Sequence, residues 1–285
     1  MHQKILIYSD LDGSLLDHFS YSFAPAQSLL GQLEQLKIPV IPVTSKTRAE
    51  LLPLRQALGN RHPFIIENGA AVFIPHHYFP SPPAQCEQYK GYYCHRFSQP
   101  RSVWQALLQQ QTTEFGGEFV SFTDMGCEGI VEVTGLSEES ARLANQRDYS
   151  EPVLWQGSQE RKQQFIACLQ LAGATVLQGG RFLHVTGECD KGLALTWLTE
   201  VYRHYHPDSE FLTLAAGDSG NDIAMLEAAD KALLIKSPVH ESPVVNNNCC
   251  YHSRNYGPEG WVEGVEHLTG ITVPTTSISN ITRND

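Results

Sequence analysis

Short apolar runs and amphipathic stretches alternate along the first 66 residues. Ile5–Ser9 reads as a buried strand. Leu29, Leu30, Leu33 and Leu36 recur at three- and four-residue spacing behind Pro25, which predicts a helix from Pro25 to Leu36. Ile38–Val43 predicts a second strand, its length limited by two prolines. Thr47–Leu58 predicts a helix closed by Gly59 and Asn60, and Phe64–Ile66 a further short strand. This order predicts a parallel sheet with right-handed crossovers.

The rhythm then changes. Pro75, Pro80, Pro82 and Pro83 crowd a stretch that reads as a linker. From residue 84 to 187 the pattern predicts helices at Val103–Gln110, Glu138–Gln146 and Gln159–Ala172. It predicts strands at Phe119–Phe122, Gly129–Thr134, Ala174–Gln178 and Arg181–Val185. Ser137 and Ser158 stand as N-caps with acids in the turn that follows. The first rhythm resumes with a helix at Lys191–Tyr205, a strand at Phe211–Ala216, a helix at Asp222–Ala229, a strand at Ala232–Ile235 and a helix at Gly260–Leu268. The fold class is therefore α/β: a discontinuous parallel-sheet core, 1–83 with 188–285, interrupted by an α+β unit at 84–187. The Thr/Ser/Asn-rich tail from Thr272 to Asp285 is expected to fray.

Composition narrows the function classes. The hydrophobic fraction is 41% of 285 residues and the formal net charge is -11. That balance argues against a nucleic-acid partner, but not against an anionic substrate at a locally positive site. The seven cysteines are scattered and form no Cys-x-x-Cys. Zinc ribbons and disulfide frameworks are disfavoured, and reduced thiols in a cytoplasmic protein are expected. The apolar run before Asp10 is too short for a secretory signal, and no run long enough to span a membrane is present.

Two acidic loops follow apolar runs. Asp10-Leu11-Asp12-Gly13 follows the first strand, and Gly217-Asp218-Ser219-Gly220-Asn221-Asp222 follows a later one. Open α/β sheets bind ligands at the carboxyl ends of their strands, and two such loops can share one hard cation such as Mg²⁺. Asp10, ionised at neutral pH, suits a nucleophile that attacks phosphorus. Asp12 suits an acid/base that protonates the leaving oxygen and deprotonates water. Asp-x-Asp-Gly is also ordinary turn chemistry. Asp218 is expected to ligate the metal with Asp10 and a backbone carbonyl of Leu11 or Asp12. Asp222 is expected to join them or simply to N-cap the next helix, and Asn221 to hold the loop or a phosphate. Thr44 and Ser45 end the second strand and can offer a hydroxyl and an N–H to phosphate. A Ser or Thr there also serves as a plain helix cap. Lys191 opens a helix, where the dipole disfavours a cation. A phosphate and the Asp10 carboxylate would justify it.

As an ordered set, Asp10-Leu11-Asp12-Gly13, Thr44, Lys191 and Gly217–Asp222 resemble the motifs of the haloacid dehalogenase-like (HAD) hydrolases. The resemblance implies a Rossmann-like core with a C2-type cap inserted between the second and third motifs, Mg²⁺ dependence, and phosphatase chemistry through an aspartyl-phosphate. A narrower likeness is carried by Val43–Arg48, Ile66–Ala70, Glu139–Arg147, Tyr149-Ser150-Glu151-Pro152 and Gly180-Arg181-Phe182-Leu183-His184. These look like the mannosyl-3-phosphoglycerate phosphatase family, whose members make mannosylglycerate, a compatible solute. A small anionic phosphorylated sugar is the implied substrate. Such a substrate needs cations for its carboxylate and donors for its sugar, expected from Arg147, Arg181 and His184. Glu151 is expected to accept from sugar hydroxyls, with Ser45, Glu67, Asn68 and Asn221 in the same cleft. The bland roles stay open: Arg147 a surface charge, His184 a strand-face histidine, Glu151 the partner of a nearby arginine, and Asn68-Gly69 a hairpin turn. Rival substrates are glucosyl-3-phosphoglycerate, sucrose phosphate and hexose phosphates. A phosphomutase or an idle phosphosugar binder is less favoured, since a binder has no need of Asp12.

Overall fold

The computed structural model describes residues 2–179 and 181–272. β1 (His2–Ser9) leads through a 3-10 turn at Ala24–Ala26 into α1 (Gln27–Gln35), then β2 (Val40–Pro42) and α2 (Arg48–Ala57). Thr47 and Glu50 cap α2 reciprocally, each side chain accepting the other's backbone N–H. The next strand, β3 (Phe64–Ile66), meets the first sheet in parallel, as expected, through a Val43–Ile65 bridge. The chain then turns back, and β3 pairs antiparallel with β4 (Ala71–Pro75), which the sequence did not foresee. The turn depends on left-handed backbone at Glu67, Asn68 and Gly69, with φ of 48°, 60° and 94°. At Gly69 a Cβ would sit 2.0 Å from the Asp190 carbonyl oxygen, so the hairpin packs against the residue before Lys191.

β5 (Glu87–Tyr89) and β6 (Tyr92–Arg96) complete an antiparallel sheet of order β3-β4-β6-β5, which the proline-rich composition concealed. Next come α3 (Arg101–Phe115), β7 (Phe119–Ser121), α4 (Phe122–Thr134), α5 (Glu138–Ala144), β8 (Glu151–Trp155), α6 (Gln159–Leu171), β9 (Thr175–Gly179) and β10 (Phe182–Thr186). The expected strand at 129–134 is instead the end of α4. Ser121 caps that helix, Ile130 buries its face against Phe122 and Ala141, and Gly135 closes it in the left-handed region. Its β-branched residues misled the sequence reading because packing outweighs propensity. β8 was also unforeseen. It lies inside the sheet β7-β8-β10-β9, with Pro152 opposite His184. We propose 84–187 as the inserted unit, with the β5–β6 hairpin as its hydrogen-bonded attachment to β4.

The chain returns through α7 (Lys191–Tyr205), β11 (Ser209–Gly217), α8 (Ile223–Ala228), β12 (Lys231–Lys236), β13 (Cys250–Tyr256) and α9 (Gly257–Thr269). β13 is an addition to the sequence reading. These strands join β1 and β2 in a parallel sheet of order β13-β12-β11-β1-β2. Alternate side chains of β1 enter opposite cores: Ile7 joins Leu33, Leu214 and Trp261, while Leu6 and Tyr8 join Leu198 and Ala215. Trp261 also donates its indole N–H to Ser9 Oγ at 3.0 Å, fixing α9 beneath the end of β1. No helix among the described residues is long and apolar enough to cross a membrane. The tail beyond Thr272 lies outside the described residues.

Candidate active site

Parallel pairing aligns Ser9 with Ala216, and the Asp10 N–H reaches the Ala216 carbonyl at 2.8 Å. The two acidic loops therefore leave the sheet side by side. Asp10, Asp218 and Asp222 bring carboxylate oxygens within 4.8 Å of one another, all three buried. Lys191, the first residue of α7 and fully buried, places Nζ 2.6 Å from Asp10 Oδ1 and 2.7 Å from Asp222 Oδ1. Asp190 caps α7 by accepting the Leu193 N–H, which sets the direction of that first turn. Asp222 does not cap α8 with its side chain. Its Oδ2 accepts the N–H groups of Asp218 and Ser219, both at 3.0 Å, and so holds its own loop.

Three carboxylates against one ammonium leave this centre short of positive charge. Burial raises the Asp10 carboxyl well above the usual range despite the pull of Lys191. Burial, helped by Asp222, raises Asp218 too. Burial works against the Lys191 ammonium, but Asp10 and Asp222 outweigh it and hold its pKa above normal. The donor set fits a hard divalent cation such as Mg²⁺: oxygen ligands, converging, in excess of local positive charge. Gly13 leaves the approach clear, since a Cβ there would stand 2.6 Å from Asp218 Oδ2.

Asp12 stands apart from the carboxylate group. Its Oδ2 pairs with Lys46 at 2.8 Å, and its Oδ1 is buried without a hydrogen-bond partner. The Asp12 carboxylate, expected among the metal ligands, is therefore not one of the converging oxygens. Thr44 is buried. Its N–H is spent on the Ile65 carbonyl at 3.0 Å, and its Oγ1 accepts the Lys46 N–H at 3.1 Å. The hydroxyl proton is what Thr44 can still offer a ligand.

A cleft of about 620 Å³ opens beside this centre, lined among others by Ser45, Asn68, His184, Asn221, His240 and Glu241. Asn221 donates to Asn68 Oδ1 at 3.0 Å, tying the loop after β11 to the hairpin turn. His184 keeps a buried Nδ1 with no hydrogen-bond partner. Burial and the charge of Arg147 push its imidazole down to about 3, so it is neutral.

Other expected cleft residues are engaged elsewhere. Arg147 is buried, not a surface charge. It donates to Ser150 Oγ at 2.8 Å and to the Ser45 carbonyl at 2.9 Å, and lies 3.4 Å from Glu67. Glu151 is fully buried and bonded to Arg101 and Thr123, which leaves it away from the cleft. Arg181 is exposed and donates to the Val133 carbonyl outside the cleft. Lys46 and His240 were given no role from sequence. Glu67 was expected to face the cleft beside Asn68, but it is buried against residues 148–150 instead.

Glu67 is buried and accepts from the Asp148 N–H at 2.7 Å, the Tyr149 N–H at 3.2 Å and Ser150 Oγ at 2.5 Å. It thereby clamps the segment before β8 onto the hairpin turn. Glu67→Gln exchanges an acceptor for a donor there and leaves Arg147 without its counter-charge. The expected cost is about 3 kcal/mol, read by urea unfolding; a loss under about 1 kcal/mol contradicts the clamp.

Comparison with known proteins gives a consistent result. Residues 159–269 match the family model described as sucrose-6F-phosphate phosphohydrolase. The chain is 35% identical to the glucosyl-3-phosphoglycerate/mannosyl-3-phosphoglycerate phosphatase of Methanococcoides burtonii, over 94% of this chain and 98% of that one. A phosphatase of the haloalkanoate (HAD) superfamily from Bacteroides thetaiotaomicron superposes with a TM-score of 0.65 at 18% identity, covering 95% of this chain and 96% of that one. The sucrose-phosphatase from Synechocystis, solved with sucrose and phosphate, superposes with a TM-score of 0.62 at 16% identity, covering 94% and 99%. The two structures share the fold.

Proposed function

Because the chain belongs to the HAD phosphatases of the glucosyl-3-phosphoglycerate/mannosyl-3-phosphoglycerate phosphatase family, we propose that it hydrolyses the phosphomonoester of a glycosyl-3-phosphoglycerate. The observation that carries this reading is the buried group of Asp10, Asp218, Asp222 and Lys191, with Asp12 two residues from Asp10.

Lys191 holds Asp10 Oδ1, which leaves the other carboxylate oxygen to attack phosphorus. The bond from phosphorus to the glycerate oxygen breaks, and Asp12 delivers a proton to that oxygen. Asp12 then takes a proton from water as the water oxygen attacks the aspartyl-phosphate, releasing phosphate and restoring Asp10. Lys46 positions Asp12 through Oδ2, and the transferred proton is carried on Oδ1, which has no hydrogen-bond partner in the protein. The Thr44 hydroxyl, Ser45 and Asn221 receive the phosphate oxygens. Mg²⁺, held by Asp10, Asp218 and the Asp12 carbonyl with Asp222 behind them, would supply charge neutralisation at the transferred phosphoryl group.

Glucose and mannose stand equal as the sugar. The segment matching the sucrose-phosphate family keeps that substrate class in the comparison. A cytoplasmic location fits the free cysteines. A phosphate-release screen over glucosyl- and mannosyl-3-phosphoglycerate, sucrose 6-phosphate and hexose phosphates decides among them. The expected result is the highest kcat/KM on a glycosyl-3-phosphoglycerate; a preference for sucrose 6-phosphate overturns it, and sugar isomerisation without net phosphate release marks a mutase. EDTA is expected to stop turnover and Mg²⁺ to restore it, with calorimetry showing one divalent site. Full activity in metal-free buffer contradicts the shared-cation centre.

A further inference from the structure

A glycosyl-3-phosphoglycerate carries a carboxylate besides its phosphate, and something must recognise it. The arginines expected to do so are committed: Arg147 to Glu67, Ser150 and Ser45, and Arg181 to Val133. Among the described residues no lysine or arginine lines the cleft. The cleft does contain two imidazoles. That of His184 is neutral, as burial and Arg147 keep it deprotonated.

The other is His240, on the irregular segment between β12 and β13. Its Nε2 lies 3.2 Å from Asp218 Oδ2, and its Nδ1 lies 3.1 Å from the Glu241 carbonyl oxygen. The Asp218 carboxylate oxygen is an acceptor, so Nε2 faces it as a ring N–H donor. The side chain is 37% exposed, standing at the cleft wall rather than packed into it. It thus presents a ring N–H, loosely held, beside the centre where phosphate would sit.

We infer that His240 is the specificity-determining residue of this cleft: it donates to the carboxylate of a phosphoglycerate ester and so selects carboxylate-bearing phosphoesters over plain ones. The inference rests on the glycosyl-3-phosphoglycerate reading above and adds to it the residue that recognises the acid. A substrate carboxylate competes with Asp218 for the same N–H, and partial exposure leaves the ring free to turn toward it.

The test compares wild type with His240→Gln and His240→Ala on glucosyl-3-phosphoglycerate and on p-nitrophenyl phosphate, which lacks a carboxylate. A hydrogen bond to a charged group predicts a loss of roughly tenfold to a hundredfold in kcat/KM on the glycerate ester, mainly through KM. The loss on p-nitrophenyl phosphate is expected to be several-fold smaller, with His240→Gln retaining more activity than His240→Ala. Equal losses on both esters overturn the inference, because His240 would then act through Asp218. A parallel fall in Mg²⁺ affinity, measured by calorimetry, overturns it for the same reason. If wild type leaves glycosyl-3-phosphoglycerates uncleaved, the substrate reading fails by itself. Competitive inhibition then still decides His240: wild type should bind 3-phosphoglycerate more tightly than glycerol 3-phosphate, and the variants should lose that difference. No difference in wild type sinks the inference.

Discussion

Asp10→Asn should extinguish turnover while leaving the protein folded. Removing a nucleophile costs on the order of 10⁴-fold or more in kcat, and Asn cannot form the acyl-phosphate. The fold should survive for a specific reason. Asp10 is one of three converging buried carboxylates, two of which share one lysine, and burial already disfavours its ionised form. A neutral amide keeps an oxygen for Lys191 and removes one negative charge, so metal-free Asp10→Asn is expected to melt at or above the wild-type temperature. Phosphate release and a thermal scan check the two halves. Activity above roughly a hundredth of wild type would remove Asp10 as nucleophile, and a collapsed melting temperature would show that the charge balance is misread.

Lys191→Met should damage both activity and stability. The Nζ group answers Asp10 and Asp222 from a fully buried position. Breaking such a pair on one side costs about 3–5 kcal/mol, because the remaining charges stay buried without a partner. The pH dependence follows from the raised carboxyls. A carboxyl with a folded-state pKa above its unfolded value stabilises fully below the unfolded value and loses that contribution as pH rises. Asp10 and Asp218 are both raised from 3.8, and losing Lys191 raises Asp10 further. The deficit of the variant should therefore shrink toward pH 4 and grow toward pH 8. Added Mg²⁺ should restore part of it by mass action. Urea unfolding at both pH values, with and without Mg²⁺, measures this; a deficit independent of pH contradicts a carboxylate origin.

The sequence displayed the parts of this protein governed by local chemistry. Asp10, Lys191 and Asp218 could be placed together because apolar runs announce the strands and acidic loops follow them directly. Ser137 and Ser158 cap their helices as expected, because capping needs only the adjacent turn. What stayed hidden is long-range. An arginine partner for Glu151 was foreseeable, but nothing local singles out Arg101, fifty positions away. Arg147 looks like a surface cation until Glu67 is brought against it by the fold. The strand inferred at 129–134 was lost to a helix because Ile130 has somewhere to pack, and His240 is placed by a segment with no periodicity at all. The haloacid dehalogenase-like motifs locate the chemistry; the residues that choose the substrate belong to tertiary contacts that no motif records.

The Glu67 junction bears on how such proteins can be recombined. The acid belongs to one stretch of chain, and the donors at 147–150 belong to another, far away in sequence. Splicing a foreign segment into 84–187 without those donors would strand a naked charge one position from Asn68, whose amide steadies the loop of Asn221. Swapped lids must therefore travel with their own answering quartet, or the host must surrender its acid. Laboratory shuffling that keeps Glu67 and positions 147–150 as one heritable block should yield folded hybrids far more often than shuffling that divides them.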